Sequence, residues 1–218
     1  NYSSILEIVT STMEANLELP SILQHNKAEG IIILGQLSEQ YLDFLSQHET
    51  PFILLDFYTN NDKYASVTTN NIQGSFISTN YLISCGHKDI GFLGSIRNST
   101  SSIQDRFLGF YKAMLEHNLN IRNEWIIDDR TDKGAILENF NLPKTLPTAF
   151  VCNCDESAFK LLENLNKLNI RVPEDISIIG FDNSIYSRIS KPQITTVAVD
   201  IEKLTSIAAE MIDQCINN

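Results

Sequence analysis

Short apolar runs alternate along the chain with longer stretches whose apolar positions recur every three or four residues. Nine runs read as strands: Ile5–Val9, Gly30–Leu34, Phe52–Leu55, Ser66–Thr68, Ile90–Gly94, Trp125–Asp128, Thr148–Cys152, Ile176–Phe181 and Thr196–Val199. Several, such as Ile31–Ile33 and Ile176–Ile179, are rich in β-branched residues and do not alternate cleanly with polar ones. Strands covered on both faces of a parallel sheet have this pattern. Between them, Ile72, Phe76, Ile77, Leu82 and Ile83 form a helical stripe closed by Gly86. Phe107, Phe110, Met114 and Leu115 form a second, and Ala158, Leu161, Leu162, Leu165 and Leu168 a third, with Pro173 beyond it. The last stripe is Ile201, Leu204, Ala208, Met211 and Cys215, with Asp200 placed to cap its first turn.

Strands alternating with helices predict an α/β fold of βαβ units in doubly wound parallel sheets. Nine strands exceed what one small sheet needs, so two lobes are expected, with a break after Gly94. The segment Asp128–Pro147 is the least periodic and predicts only a short helix around Lys133–Asn139.

Composition narrows the function. With 16 Lys+Arg against 27 Asp+Glu, the 218-residue chain carries a net charge of −11. So acidic a surface is repelled by phosphate backbones, which argues against nucleic-acid binding by this part of the protein. Its apolar runs are far too short to span a bilayer. Four cysteines are too few for a disulfide scaffold at this size and suit a reducing compartment.

Several chemistries lack their signatures. None of the nine glycines is arranged as GxGxxG or GxxxxGK[ST], and no GxSxG elbow is present. Cys152 and Cys154 have no second Cys/His pair at zinc spacing, so core packing is their expected role and no metal is expected. His87 directly follows Gly86, at a helix C-terminus where a cation is favoured.

In doubly wound sheets, ligands bind where the carboxyl ends of the strands open into loops. Asp56 and Phe57 follow one strand, Asn70 and Asn71 another, and Ser101, Ser102 and Arg106 a third; Asn153–Glu156 and Asp182–Asn183 follow two more. This inventory holds carboxylates, a guanidinium, hydroxyls, amides and rings, with no nucleophile–base pair. An Arg fork and a carboxylate can each bind adjacent sugar hydroxyls while an aromatic ring covers the apolar side of the sugar.

The motifs then become familiar. Asn80 to Gly94 (NYLISCGHKDIGFLG) resembles the YLI..GHK.IGF.G signature of the LacI/GalR family of transcriptional repressors. Arg106–Phe110 and Ala113 resemble that family's R..GF..A segment, and Pro147–Asp155 its PTA.fc.ND segment. Val172–Asp182 is similar to VPeDiSvvGFDd, and Thr195–Val197 begins its C-terminal TTv segment. The motifs occur in family order from about Gly30 to Ile212.

The resemblance implies a two-lobed effector-binding domain of the periplasmic-binding-protein type, with residues 1–94 and the returning helix 200–218 in one lobe and 95–199 in the other. A sugar or sugar derivative is expected in the cleft, gripped by Arg106, Asp182, Asp155, Asn70 and Ser102, with Phe57, Phe181 and Cys154 lining it. No cofactor, metal or catalysis is expected. A cytoplasmic homodimer is, with operator DNA bound only through a helix-turn-helix outside this chain and no membrane contact. The runner-up is an exported sugar-binding protein of a transport system. Cys154 stands where the family usually has Asn, and Asn70 where Asp is common, so no relative's preferred effector carries over.

Overall fold

The computed structural model describes residues 2–60, 62–96 and 100–217. The chain divides into two units, Asn1–Thr68 with Asp200–Asn218, and Thr69–Val199. The first break therefore falls after Thr68 and not after Gly94.

Unit 1 begins with helices α1 (Ser11–Asn16) and α2 (Ser21–Gln24), then β1 (Ile31–Leu34), α3 (Glu39–Leu45), β2 (Phe52–Leu55) and β3 (Ser66–Val67). The three strands form a parallel sheet in the order β1-β2-β3. Successive β2 side chains point to opposite faces. Leu54 joins Leu23, Ile33, Tyr41, Leu42, Leu45 and Phe57 on one side. Ile53 and Leu55 join Val67 and Ala208 on the other, so the C-terminal helix returns to cover unit 1. Ile5–Val9 has a strand's composition but pairs with no strand among the described residues, and Leu6 is 91% exposed.

Unit 2 contains α4 (Asn71–Ser84), β4 (Ile90–Leu93), α5 (Ser101–Glu116), a short 3-10 turn at Asn123–Trp125, β5 (Ile126–Ile127), β6 (Ala149–Cys152), α6 (Asp155–Lys167), β7 (Ser177–Asp182), α7 (Ile185–Ile189) and β8 (Thr195–Ala198). Helix α8 (Ile201–Asn217) follows and belongs to unit 1. All five strands are parallel, in the order β5-β4-β6-β7-β8. Strand β4 lies inside this sheet, paired with both β5 and β6, which is why it belongs to unit 2. The order reverses between β4 and β6, and such a switch point is where doubly wound sheets open a crevice for ligands.

The pleat again sorts the core. Phe92, Ala149, Val151 and Ile179 face Leu82 of α4 and Phe110 and Met114 of α5. Leu93, Phe150, Cys152 and Ile178 face Ala158, Leu161, Leu162 and Leu165 of α6. Helices α4 and α5 approach closely because Gly109 has no side chain: a Cβ there would lie 2.2 Å from the Ile72 carbonyl oxygen.

Two local expectations are corrected. No helix forms around Lys133–Asn139; Arg130 bridges antiparallel to Ile136 around a turn at Gly134, whose φ is +81°. His87 does sit past the end of α4, but its ring bonds the Thr148 and Ser177 hydroxyls at 2.9 and 3.0 Å. Burial lowers its pKa and so favours the neutral imidazole over a cation.

Candidate functional site

The carboxyl ends of the unit 2 strands carry a connected set of polar side chains. Arg106 stands on α5, which starts at the N-cap Thr100 after β4, and it is 6% exposed. Its Nε donates to Asn71 Oδ1 at 2.8 Å, and its Nη1 donates to the Asn153 carbonyl at 2.5 Å. Its Nη2 lies 3.2 Å from Asp182 Oδ1. The flat guanidinium covers the Phe181 ring, 3.8 Å from its centroid. Such a stack adds cation–π attraction and fixes the plane of the fork.

Asp182 is the open member of this pair, its side chain 36% exposed against 8% for Arg106. It ends β7 with φ of +107°, where a non-glycine residue is strained by about 1–3 kcal/mol. Pairing with β8 through Ala198 and the ion pair to Arg106 hold it there. A carboxylate and a guanidinium side by side, one reachable from outside, offer an acceptor and donors to the same small polar molecule.

Two other predicted residues are brought to the same strand ends in supporting roles. Asp155, fully buried in the first turn of α6, accepts from Ser184 N at 2.7 Å and from Thr196 Oγ1 at 2.5 Å. It ties the loop after β7 to β8. Cys154 lies beside the Ser157 hydroxyl at 3.3 Å, with Arg130 Nη2 at 3.8 Å. Burial pushes the Cys154 thiol up, and Cys152 further, so both remain thiols at neutral pH. Among the described residues, no three His, Cys, Asp or Glu side chains gather as a metal site. Ser102 is buried in the first turn of α5.

Three expectations change on the structure. Asn70 is exposed and caps α4, accepting from Gln73 N at 3.1 Å, while its neighbour Asn71 turns inward to Arg106. Phe57 is 1% exposed in the core of unit 1, so it is a packing group and not a ring offered to a ligand. Phe181 is a platform, but for Arg106.

The sequence reading passed over Asp129, which follows β5 and is fully buried. Ser95 N donates to its Oδ1 at 2.8 Å; Asn153 Nδ2 and Ser157 Oγ both donate to its Oδ2 at 2.5 Å. Arg130 Nε lies 3.7 Å from the same oxygen. The strand-end rule applied to the fifth strand points to this residue.

Doubly wound units with polar groups at their strand ends form a class of small-molecule-binding domains. The family profile described as periplasmic binding protein-like domain matches residues 79–218. The HTH-type transcriptional repressor PurR of Pasteurella multocida is 30% identical over 201 residues, spanning 90% of this chain and 60% of that protein. The HTH-type transcriptional regulator RegA of Clostridium saccharobutylicum is 29% identical over 221 residues, covering all of this chain and 67% of that one. Among solved structures, a transcription regulator from Lactobacillus plantarum superposes with a TM-score of 0.75 at 25% identity, covering 88% of this chain and 73% of that chain. A LacI family regulator from Mycobacterium smegmatis reaches a TM-score of 0.79 at 22% identity, covering 95% and 77%, and speaks to the fold alone. The chain belongs to the family of periplasmic-binding-protein-like domains, and the relatives it matches are named as transcriptional regulators. It spans only about three fifths of the PurR relatives it matches.

Proposed function

We propose that this chain is the effector-binding portion of a LacI/GalR-type transcriptional repressor, and that its effector is a small polyhydroxylated metabolite, a sugar or sugar derivative, held without being altered. The observation that carries the reading is the Arg106–Asp182 pair at the strand ends, with its carboxylate half open. A hydroxyl can accept from the guanidinium and donate to the carboxylate at once, and hydrogen bonds to charged groups contribute about 1.5–3 kcal/mol each. Its relatives' names are those of DNA-binding regulators. The proposed whole protein is a cytoplasmic homodimer that reads an operator through a helix-turn-helix. Among the described residues, no helix is long and apolar enough to cross a membrane.

A ligand biases a regulator only by its differential affinity for two arrangements. The test is a thermal-shift panel of mono- and disaccharides, sugar phosphates and nucleobases. At a hundred times its Kd, a true effector adds about 2.7 kcal/mol, which raises the midpoint by about 5–10 °C for a chain of this size. Steady product formation from the bound compound, or a panel in which only nucleobases bind, contradicts the proposal.

A further inference from the structure

The grip on Arg106 depends on a group the effector need not touch. Nη1 is held by the backbone carbonyl of Asn153, the first residue after β6. The Asn153 side chain is itself fixed: its Nδ2 donates to Asp129 Oδ2 at 2.5 Å and to the Leu93 carbonyl at 3.3 Å. Asp129 thus joins the loops after β4, β5 and β6 and the first turn of α6, through Ser95, its own backbone, Asn153 and Ser157. The Ser95 hydroxyl closes the ring by accepting from Asp129 N at 3.1 Å and Arg130 N at 3.0 Å. A buried carboxylate is costly unless its oxygens are satisfied and a cation is near, and here both conditions hold.

We infer that Asp129 is the positioning residue of the rim: through Asn153 it sets where the Arg106 fork points, an assignment that rests on the proposed role of Arg106 in effector binding. Turning Asn153 would carry its carbonyl away from Nη1. In this low-dielectric interior, losing the bond to Asp129 would leave the Asn153 side chain held by the Leu93 carbonyl alone, free to turn.

The test reads Arg106 in the ligand-free protein, so its outcome is independent of whether any effector is found. Asp129→Asn keeps the shape and the oxygen facing Ser95 but turns an amide toward two donors, Asn153 Nδ2 and Ser157 Oγ. In 15N-labelled protein the Arg106 Nε–Hε proton, now bonded to Asn71, is expected to exchange with water about tenfold faster in this variant. Asp175→Asn, which changes only an exposed set of bonds to the Arg171 side chain and backbone N–H, is expected to leave it unchanged. A folded Asp129→Asn with a lower midpoint but an unaltered Arg106 signal overturns the assignment, since that is what a merely stabilising residue would give. Should Asp129→Asn not fold, Asn153→Ala decides. It cuts the link while keeping the carbonyl, and a wild-type exchange rate there overturns the assignment equally. Ser157→Ala, which removes a donor outside the link, is expected to stay near wild type.

Discussion

Arg106→Ala is expected to weaken binding of the panel's best ligand by at least about tenfold, the loss of one hydrogen bond to a charged group. The substitution removes the donors to the effector and also leaves Asn71 Oδ1, the Asn153 carbonyl and Asp182 without their shared partner. Stability is therefore expected to fall too, by about 1–3 kcal/mol. Arg106→Lys separates the two effects. It keeps the charge beside Asp182 but loses the planar fork that reaches Asn71, Asn153 and Asp182 together. Its midpoint should lie between wild type and Arg106→Ala, while affinity stays close to that of the alanine variant. Titration calorimetry with both variants checks this; affinity within twofold of wild type in Arg106→Ala would place the ligand elsewhere.

The second large effect is one of sign. In an exposed helix, Gly→Ala stabilises by about 1 kcal/mol. At Gly109 of α5 the opposite is expected, because the new Cβ would meet the Ile72 carbonyl at 2.2 Å and the Phe76 nitrogen at 2.9 Å. Both are backbone atoms of α4 and cannot swing aside. Overpacking of this kind costs about 1–3 kcal/mol, so Gly109→Ala should lower the thermal midpoint by about 2–10 °C. Parting α4 from α5 would also move Asn71 away from Arg106, so the variant should lose ligand affinity as well. A raised midpoint would show that the two helices have room to separate.

Most of unit 2 is legible from the sequence because both faces of its sheet are covered. Unbroken apolar runs such as Phe92–Leu93 and Ile178–Ile179 can be little else than buried strands. The stripes of α5 and α6 are readable for the same reason, whereas α4 buries Asn71, Ser75, Ser78, Thr79 and Leu82 and leaves Ile72 and Ile77 exposed, so its stripe marks the wrong face. Ile5–Val9 misleads because apolar composition reports a wish for burial, whereas a strand also needs a neighbour to bond. The break after Gly94 fails similarly: β4 looks like any other strand, and only its pairing with β5 and β6 assigns it to unit 2.

The site was half readable. Arg106, in the helix that follows a strand, and Asp182, the last residue of a strand, lie in the resembling motifs, and the structure pairs them. Asn70 and Asn71 are adjacent amides with opposite fates, one capping a helix and one bonded to Arg106, and nothing local to the sequence tells them apart. Phe57 and Phe181 both follow or end a strand, yet the first packs within unit 1 and the second lies beneath a guanidinium. Asp129 belongs to a pair of adjacent aspartates, and its importance comes from Ser95, Asn153 and Ser157, which are remote in sequence and meet only at the sheet's switch point.

The most direct test is to follow the best panel ligand by NMR titration of the 15N-labelled chain. Saturable shifts centred on the Arg106 side chain and the backbone amides of Asn71, Asn153 and Asp182 are the predicted result. Shifts confined to another part of the surface, such as the groove of Asn139, Leu142 and Lys167, with the Arg106 signal unmoved, would contradict it.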